Sequence, residues 1–255
     1  MASEAGFVRD AFSRICGVYD FLNSVLSLGL DAGWRKKTAE ALCPLPEDGK
    51  RPILDLAAGT LALTLVLART FPGYRIAALD FCPPMLRLGL SRLKPGMRAR
   101  ILPLAGDARV LPLPDSSMSA ATAAFGLRNI NPRGRAYAEV LRVLVPGGRF
   151  CVLEFSGGGE RLLFGLYNFY LHRVLPIVGG LVSGSRDAYR YLAESIRDHP
   201  SADDLADEMR AAGFVNVVYK KFTGGVVCLH CAEKPPGSPE CGRVLETGQR
   251  RTDGC

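Results

Sequence analysis

The 255-residue chain has room for one α/β domain with insertions or for two small domains, and its 48% hydrophobic content supplies a sizeable core. The net charge of +7 suits an anionic partner, a nucleic acid or a membrane surface, without choosing between them. Three classes are disfavoured: no uncharged run reaches the ~18 residues of a membrane span, the eight cysteines are scattered as reduced cytosolic thiols would be, and residues 1–14 carry no apolar signal stretch.

In chain order, residues 7–42 read as helical, with Phe12, Ile15, Val18, Tyr19, Leu22, Leu26 and Leu30 at helical spacing and Gly17, Gly29 and Gly33 dividing the run. Residues 1–50 thus form an N-terminal helical cap, closed by a linker from Pro44. Strands are expected at 53–57, 75–79, 100–103, 120–125 and 150–155. They alternate with helices at 60–70, 83–93 and 135–144, and Pro146-Gly147-Gly148 reads as a turn between helix and strand. The alternation predicts an α/β, Rossmann-like fold, a mostly parallel sheet with helices on both faces. The apolar, aromatic stretch 162–182 breaks that rhythm, so 160–200 reads as an insertion over the cleft. A helix at 201–212, capped by Ser201 and stopped by Gly213, leads into an antiparallel hairpin of 214–221 and 226–232. The main domain spans 51–234, and 235–255 read as a disordered tail. Cys228 and Cys231 have the spacing of a metal pair. On a strand, however, positions i and i+3 face opposite sides, and no second ligand pair appears, so no metal site is expected.

The stretch 53–80 carries the most chemistry. A buried strand, Ile53-Leu54-Asp55-Leu56, enters the turn Ala57-Ala58-Gly59-Thr60-Leu61-Ala62; a helix follows, then a strand ending on Asp80. An acid about 20 residues beyond such a turn is how an α/β sheet grips a ribose. A dinucleotide fingerprint wants three glycines; the single Gly59 argues against a pyrophosphate lying over this turn. A cofactor without phosphates needs only close backbone approach, and S-adenosylmethionine fits that description. A plain tight turn flanked by two strand-end acids, Asp55 and Asp80, stays open on this motif alone.

Four further motifs, in order, narrow the reading: Tyr19-Asp20-Phe21-Leu22-Asn23 running on to Trp34; Phe125-Gly126-Leu127-Arg128-Asn129; Arg142-Val143-Leu144-Val145-Pro146-Gly147-Gly148 through to Glu154-Phe155-Ser156; and Tyr189-Arg190-Tyr191-Leu192-Ala193-Glu194-Ser195-Ile196. With them the chain resembles, over residues 7–234, the ubiquinone/menaquinone C-methyltransferase family of class I methyltransferases. The resemblance implies S-adenosylmethionine as cofactor, with Asp55, Gly59 and Thr60 at the turn, Asp80 on the ribose, Asp107 and Ala108 at the adenine edge, and Ala124 where the family often has Ser. It implies Tyr19, Arg128 and Asn129 at the reacting ring of a prenylated quinol. The acceptor would be demethylmenaquinol or, as the alternative, a polyprenyl methoxybenzoquinol.

The chain departs from the family at Leu61 and Ala62, where Gly and Asp are usual, and at Asp31 and Val145, where His and Lys are usual. The first pair questions the grip on the cofactor's amino-acid end and leaves open a non-catalytic relative with a decayed turn. The second pair reads as a matter of packing. A small-molecule or RNA methyltransferase on the same fold is the third alternative. Against RNA, the sequence has no Asn-Pro-Pro-Tyr type motif, and its basic residues lack interleaved aromatics.

Chemistry adds roles independent of the name. A quinol carbon attacks an electrophilic sulfonium methyl well only when the neighbouring hydroxyl is ionised. Arg128 can stabilise that charge, whereas its guanidinium stays protonated and makes a poor base, so water or Tyr19 is the expected relay. Phe164, Leu166, Tyr167, Phe169, Tyr170, Leu171 and Val174 can line a prenyl channel or simply pack the insertion. The basic run Arg87, Arg92, Lys94, Arg98 and Arg100 is either a solvated helix face or a dock for an anionic membrane. The expected setting is cytoplasmic, with peripheral membrane contact and a homo-oligomer both allowed.

Overall fold

The computed structural model describes residues 27, 29–46, 51–157, 195–196 and 199–236, and within them seven strands form one sheet. In chain order the elements are α1 (Asp31–Glu40), β1 (Ile53–Leu56), α2 (Ala62–Thr70), β2 (Ile76–Asp80), α3 (Pro83–Ser91), the single turn α4 (Pro95–Arg98), β3 (Ile101–Ala105), β4 (Met118–Ala124), a 3₁₀ turn (Leu127–Asn129), α5 (Arg133–Val143), β5 (Leu144–Phe155), α6 (Ala202–Ala211), β6 (Val215–Phe222) and β7 (Val227–Glu233).

The strand order is β3-β2-β1-β4-β5-β7-β6. The first five strands are parallel, and β7 runs antiparallel between β5 and β6. The chain builds outward from β1 to β3, then returns to place β4 on β1's other side. The direction of winding therefore reverses between β1 and β4, where open α/β sheets bind their ligands.

The central strands are buried on both faces, as parallel strands between helix layers must be. On one face Ile53, Ile76, Leu153 and Phe155 pack with Trp34 of α1 and with Leu63 and Leu67 of α2. On the other, Leu54, Leu56, Phe150 and Val152 pack with Tyr137 and Val140 of α5 and with Leu205 and Met209 of α6. Ser201 caps α6, accepting a 3.2 Å hydrogen bond from the Asp204 N–H, and Gly213 turns the chain at φ +107°.

Several expectations shift. Pro146, Gly147 and Gly148 lie inside β5, at a register shift between Met118 and Ala120 of β4. Backbone bonds between Gly147, Gly148 and Lys234 tie this bulge to the end of β7. The helix expected to reach residue 93 ends at Ser91, and Pro95 opens α4. Cys228 and Cys231 both lie on β7, an inner strand, with the Cys231 thiol 3.3 Å from that of Cys151 directly opposite. Of the N-terminal cap only Ser27 and residues 29–46 are described; most of the covering insertion and residues 237–255 lie outside the described residues. No helix among the described residues is long and apolar enough to cross a membrane.

Candidate active site

The turn after β1 is closed by the acid at the end of β2. One Asp80 carboxylate oxygen accepts the Gly59 N–H at 2.8 Å, and the other accepts the Cys82 N–H at 2.7 Å. Burial pushes the Asp80 carboxyl above its ordinary range, and these N–H donors pull it back. Backbone in the left-handed region collects at this edge: Ala57 (φ +51°), Gly59 (+54°) and Leu61 (+70°) after β1, and Phe125 (+56°) after β4. Non-glycine residues held in this conformation store backbone strain at the ends of the two strands flanking the reversal, the position where open α/β sheets bind ligands. Gly126 is needed there, since a Cβ on it would lie 2.3 Å from that of Ala57.

Leu61 projects into the core. Its side chain is fully buried with Ala58, Ala78, Leu86 and Ile101. It fits because α3 carries Gly89 there, whose Cβ would meet Leu61 Cγ and the Thr60 carbonyl oxygen at 2.6 Å each. The departure from glycine is thus absorbed by packing. Ala62 opens α2 and is half-buried.

Asp55 is buried in β1. Thr64 of α2 donates to it at 2.6 Å and Thr122 of β4 at 3.0 Å. Burial pushes its carboxyl up to about 6, against the pull of both hydroxyls and of the Arg35 charge. Thr60 is buried beside Gly59. Asp107, beyond β3, is partly exposed and forked onto Arg109, which holds it below the ordinary carboxylate range, while Ala108 is buried. Ala124, half-buried, ends β4.

Arg128 and Asn129 lie in the 3₁₀ turn immediately after β4. Arg128 Nη1 meets Glu154 of β5 at 2.8 Å, with both side chains 1% exposed, and also donates to the Phe125 carbonyl. Glu154 accepts the Arg128 backbone N–H at 3.2 Å as well, and the guanidinium carbon sits 5.6 Å from the Phe155 ring centroid. The sequence reading named Arg128 without its partner. Tyr19, Asn23 and the aromatic residues of the insertion lie outside the described residues.

Two residues at this edge escaped the sequence reading. Arg35 of α1 is buried, its guanidinium 5.5 Å from the Phe125 ring centroid, and it pairs with Asp31. Asp31, expected to concern packing, instead serves this charge and accepts the Ser27 hydroxyl at 3.1 Å. Val145 does pack in the core. His199 is buried where Pro200 accepts the N–H of Gly157, just past β5. Neither of its ring nitrogens has a hydrogen-bond partner among the described residues. Burial drives its imidazole down to about 4, with Glu154, Arg133, Arg128 and Glu208 the charges within reach. Of the basic run, Arg100 is committed to the fold, donating to the carbonyls of Ala68, Phe71 and Pro72 at the end of α2.

Comparison with known proteins starts from this geometry. A demethylmenaquinone methyltransferase of Thermus thermophilus is 41% identical over 225 residues, covering 88% of this chain and all of that protein. A "Ubiquinone/menaquinone biosynthesis C-methyltransferase UbiE" of Ectopseudomonas mendocina is 40% identical, covering 92% of this chain and 91% of that one. Among solved structures, an S-adenosylmethionine-dependent methyltransferase from Thermotoga maritima, described as a possible histamine N-methyltransferase, superposes with a TM-score of 0.60 at 18% identity, covering 88% of this chain and 98% of that one. That likeness carries the fold alone. The sequence matches the ubiE/COQ5 methyltransferase family from residue 1 to 234, a span that takes in the strained turn, the acid closing it and the Arg128–Glu154 pair. The chain belongs to that family.

Proposed function

We propose that this protein is an S-adenosylmethionine-dependent C-methyltransferase converting demethylmenaquinol to menaquinol. The observation that carries this reading is the 41% identity to a demethylmenaquinone methyltransferase matched over its whole length. The residues suit a nucleoside with a charged amino-acid tail. Asp107 and Ala108 would flank the adenine, Asp80 would take the ribose, and Asp55, Gly59, Thr60 and Ala124 would face the amino-acid end. The cofactor supplies an electrophilic methyl group on a sulfonium. The chain's own part is to hold the ring carbon in line with it and to tolerate charge on the neighbouring oxygen, in a site with little water.

Arg128, Asn129 and Tyr19 are the proposed ring-side residues. Glu154 fixes the Arg128 guanidinium and balances its charge. The pair therefore offers an oriented dipole, and an oxyanion facing it is stabilised by that fixed orientation. A polyprenyl methoxybenzoquinol is the second acceptor to consider, because one relative is named for both quinone pathways. Incubating the protein with S-adenosylmethionine and each reduced acceptor, and weighing the product by mass spectrometry, tests the reading. One methyl added to demethylmenaquinol is the expected result. Cofactor binding without transfer to either quinol would overturn the acceptor, and no cofactor binding at all would point to a non-catalytic relative.

A further inference from the structure

We infer that Arg35 and Asp55 form a clamp for the two opposite charges at the cofactor's amino-acid end, Arg35 taking the α-carboxylate and Asp55 the α-ammonium. The inference rests on the cofactor reading above. Arg35 comes from α1, outside the strand-and-turn motif, and it is buried. Asp31 holds Nη1. The remaining edge of the guanidinium, Nε with Nη2, is the side-on fork that matches a carboxylate. Nε is buried and has no hydrogen-bond partner among the described residues. A buried donor left unmet needs an explanation, and an arriving anion supplies one.

The position fits. Arg35 lies against Phe125, which follows β4, and its charge reaches Asp55 in β1. No hydrogen bond joins Arg35 to Asp55 among the described residues, so neither charge satisfies the other directly, although the Arg35 charge acts on Asp55. A zwitterion between them satisfies both. The order of groups across the sheet also agrees. Asp107 follows β3, Asp80 ends β2, Asp55 and Gly59 belong to β1 and its turn, and Arg35 sits by the end of β4. That is the order adenine, ribose, amino acid along the cofactor, over strands spaced about 4.8 Å apart. The clamp also accounts for Ala62, which has no polar side chain to offer the amino-acid end: α1 provides the contact instead.

Calorimetry on the full chain with three ligands tests this: S-adenosylmethionine, its decarboxylated form, and 5′-methylthioadenosine, which lacks the amino acid. Arg35→Gln is expected to weaken S-adenosylmethionine by roughly 10- to 100-fold, the loss of a charge-assisted pair. Binding of 5′-methylthioadenosine should stay within about 2-fold, and the preference of the unmodified protein for the carboxylated ligand should vanish. Binding of S-adenosylmethionine to the unmodified protein should weaken as pH falls through about 6, where Asp55 takes a proton, facing Arg35 on α1, Thr64 on α2, Asp80 on β2 and Thr122 on β4. Asp55→Asn should abolish that dependence.

Equal weakening of all three ligands by Arg35→Gln, or no weakening, overturns the clamp. Should that variant not fold, the unmodified protein decides alone: equal affinity for the carboxylated and decarboxylated ligands overturns it. If the protein binds neither S-adenosylmethionine nor 5′-methylthioadenosine, the cofactor assignment falls and the clamp with it. Normal cofactor binding without quinol methylation removes only the acceptor.

Discussion

Asp80 works within the chain before any ligand arrives, because its two oxygens hold the N–H groups of Gly59 and Cys82. Asp80→Ala therefore orphans two buried donors, at about 1–3 kcal/mol per donor, and removes the proposed ribose contact with them. Asp80→Asn keeps one acceptor oxygen. Asparagine should weaken S-adenosylmethionine binding at least ~10-fold with a modest fall in Tm, and alanine should lower Tm by several degrees more. Thermal unfolding beside calorimetry separates the two effects, and unchanged affinity in Asp80→Asn would remove the acid from the ribose. Leu61 is the converse case. Its φ of +70° favours glycine, and relieving it is worth about 1–2 kcal/mol. Its buried side chain is worth more, because emptying a leucine site costs about 2.7–5 kcal/mol. Leu61→Gly should therefore destabilise the protein, by about 1–4 kcal/mol in urea titration. Pairing it with Ala62→Asp is not expected to tighten cofactor binding, because the turn already holds its shape around the leucine.

Between elements, two contacts set the site. The first is α3 against the turn after β1. A Cβ on Gly89 would meet the Thr60 carbonyl at 2.6 Å, and this backbone oxygen can move only if the turn moves. Gly89→Ala should weaken cofactor binding although residue 89 lies outside the turn; affinity within ~2-fold of the parent, by calorimetry, would show that the turn yields freely. The second is Arg128 with Glu154, which joins the turn after β4 to β5. Removing one partner of so buried a pair costs about 3–5 kcal/mol, because the other charge is stranded. A kcat measured on Arg128→Ala alone therefore mixes folding with catalysis. Arg128→Met combined with Glu154→Gln should recover most of the stability while kcat stays down by roughly 10²–10³-fold. Recovery of kcat along with stability would leave the pair purely structural. What the sequence disclosed follows the same division between local and distant. Strand and helix periods, the Ser201 cap and the Gly59-to-Asp80 spacing are local signals, and they place most strands and long helices to within a few residues, while the early start of β5 and the single turn α4 carry no such signal. Glu154 lies 26 positions from Arg128, and Arg35 lies on a helix remote in sequence from Phe125. Such partners are chosen by topology, so no spacing announces them. Pro146, Gly147 and Gly148 read as a turn because the β7 backbone that extends β5 through them is equally remote.

Over the whole molecule, buried ionisable groups of opposite kind set the response to acid. His199 ionises at about 4 in the fold against an ordinary 6.5. As pH falls from 6.5 to 4 the unfolded chain takes a proton that the folded one refuses, and stability drops by about 3 kcal/mol. Burial shifts His230 in the same direction. Asp55 is the reverse: raised to about 6 from 3.8, it binds its proton in the fold first. As pH falls from 6 to 3.8 it contributes about 3 kcal/mol in favour of the fold. Asp80, also raised by burial, acts with it. The two pairs oppose each other across the same window, so urea unfolding should show stability nearly level between pH 7 and about 4. Below that it should fall, as Asp107, Glu139 and Glu208, held low by arginines, and Glu233, held low by the Asn216 amide and Arg149, are forced to protonate. Single substitutions should expose the hidden slopes. Asp55→Asn should lose about 3 kcal/mol between pH 6 and 4 relative to the parent, and His199→Gln should gain a similar amount. If both variants keep the parent's level profile, neither group is displaced in the fold. If only His199→Gln changes, Asp55 is already ionised in the ordinary carboxylate range, and the fall in cofactor affinity through pH 6 should be absent too.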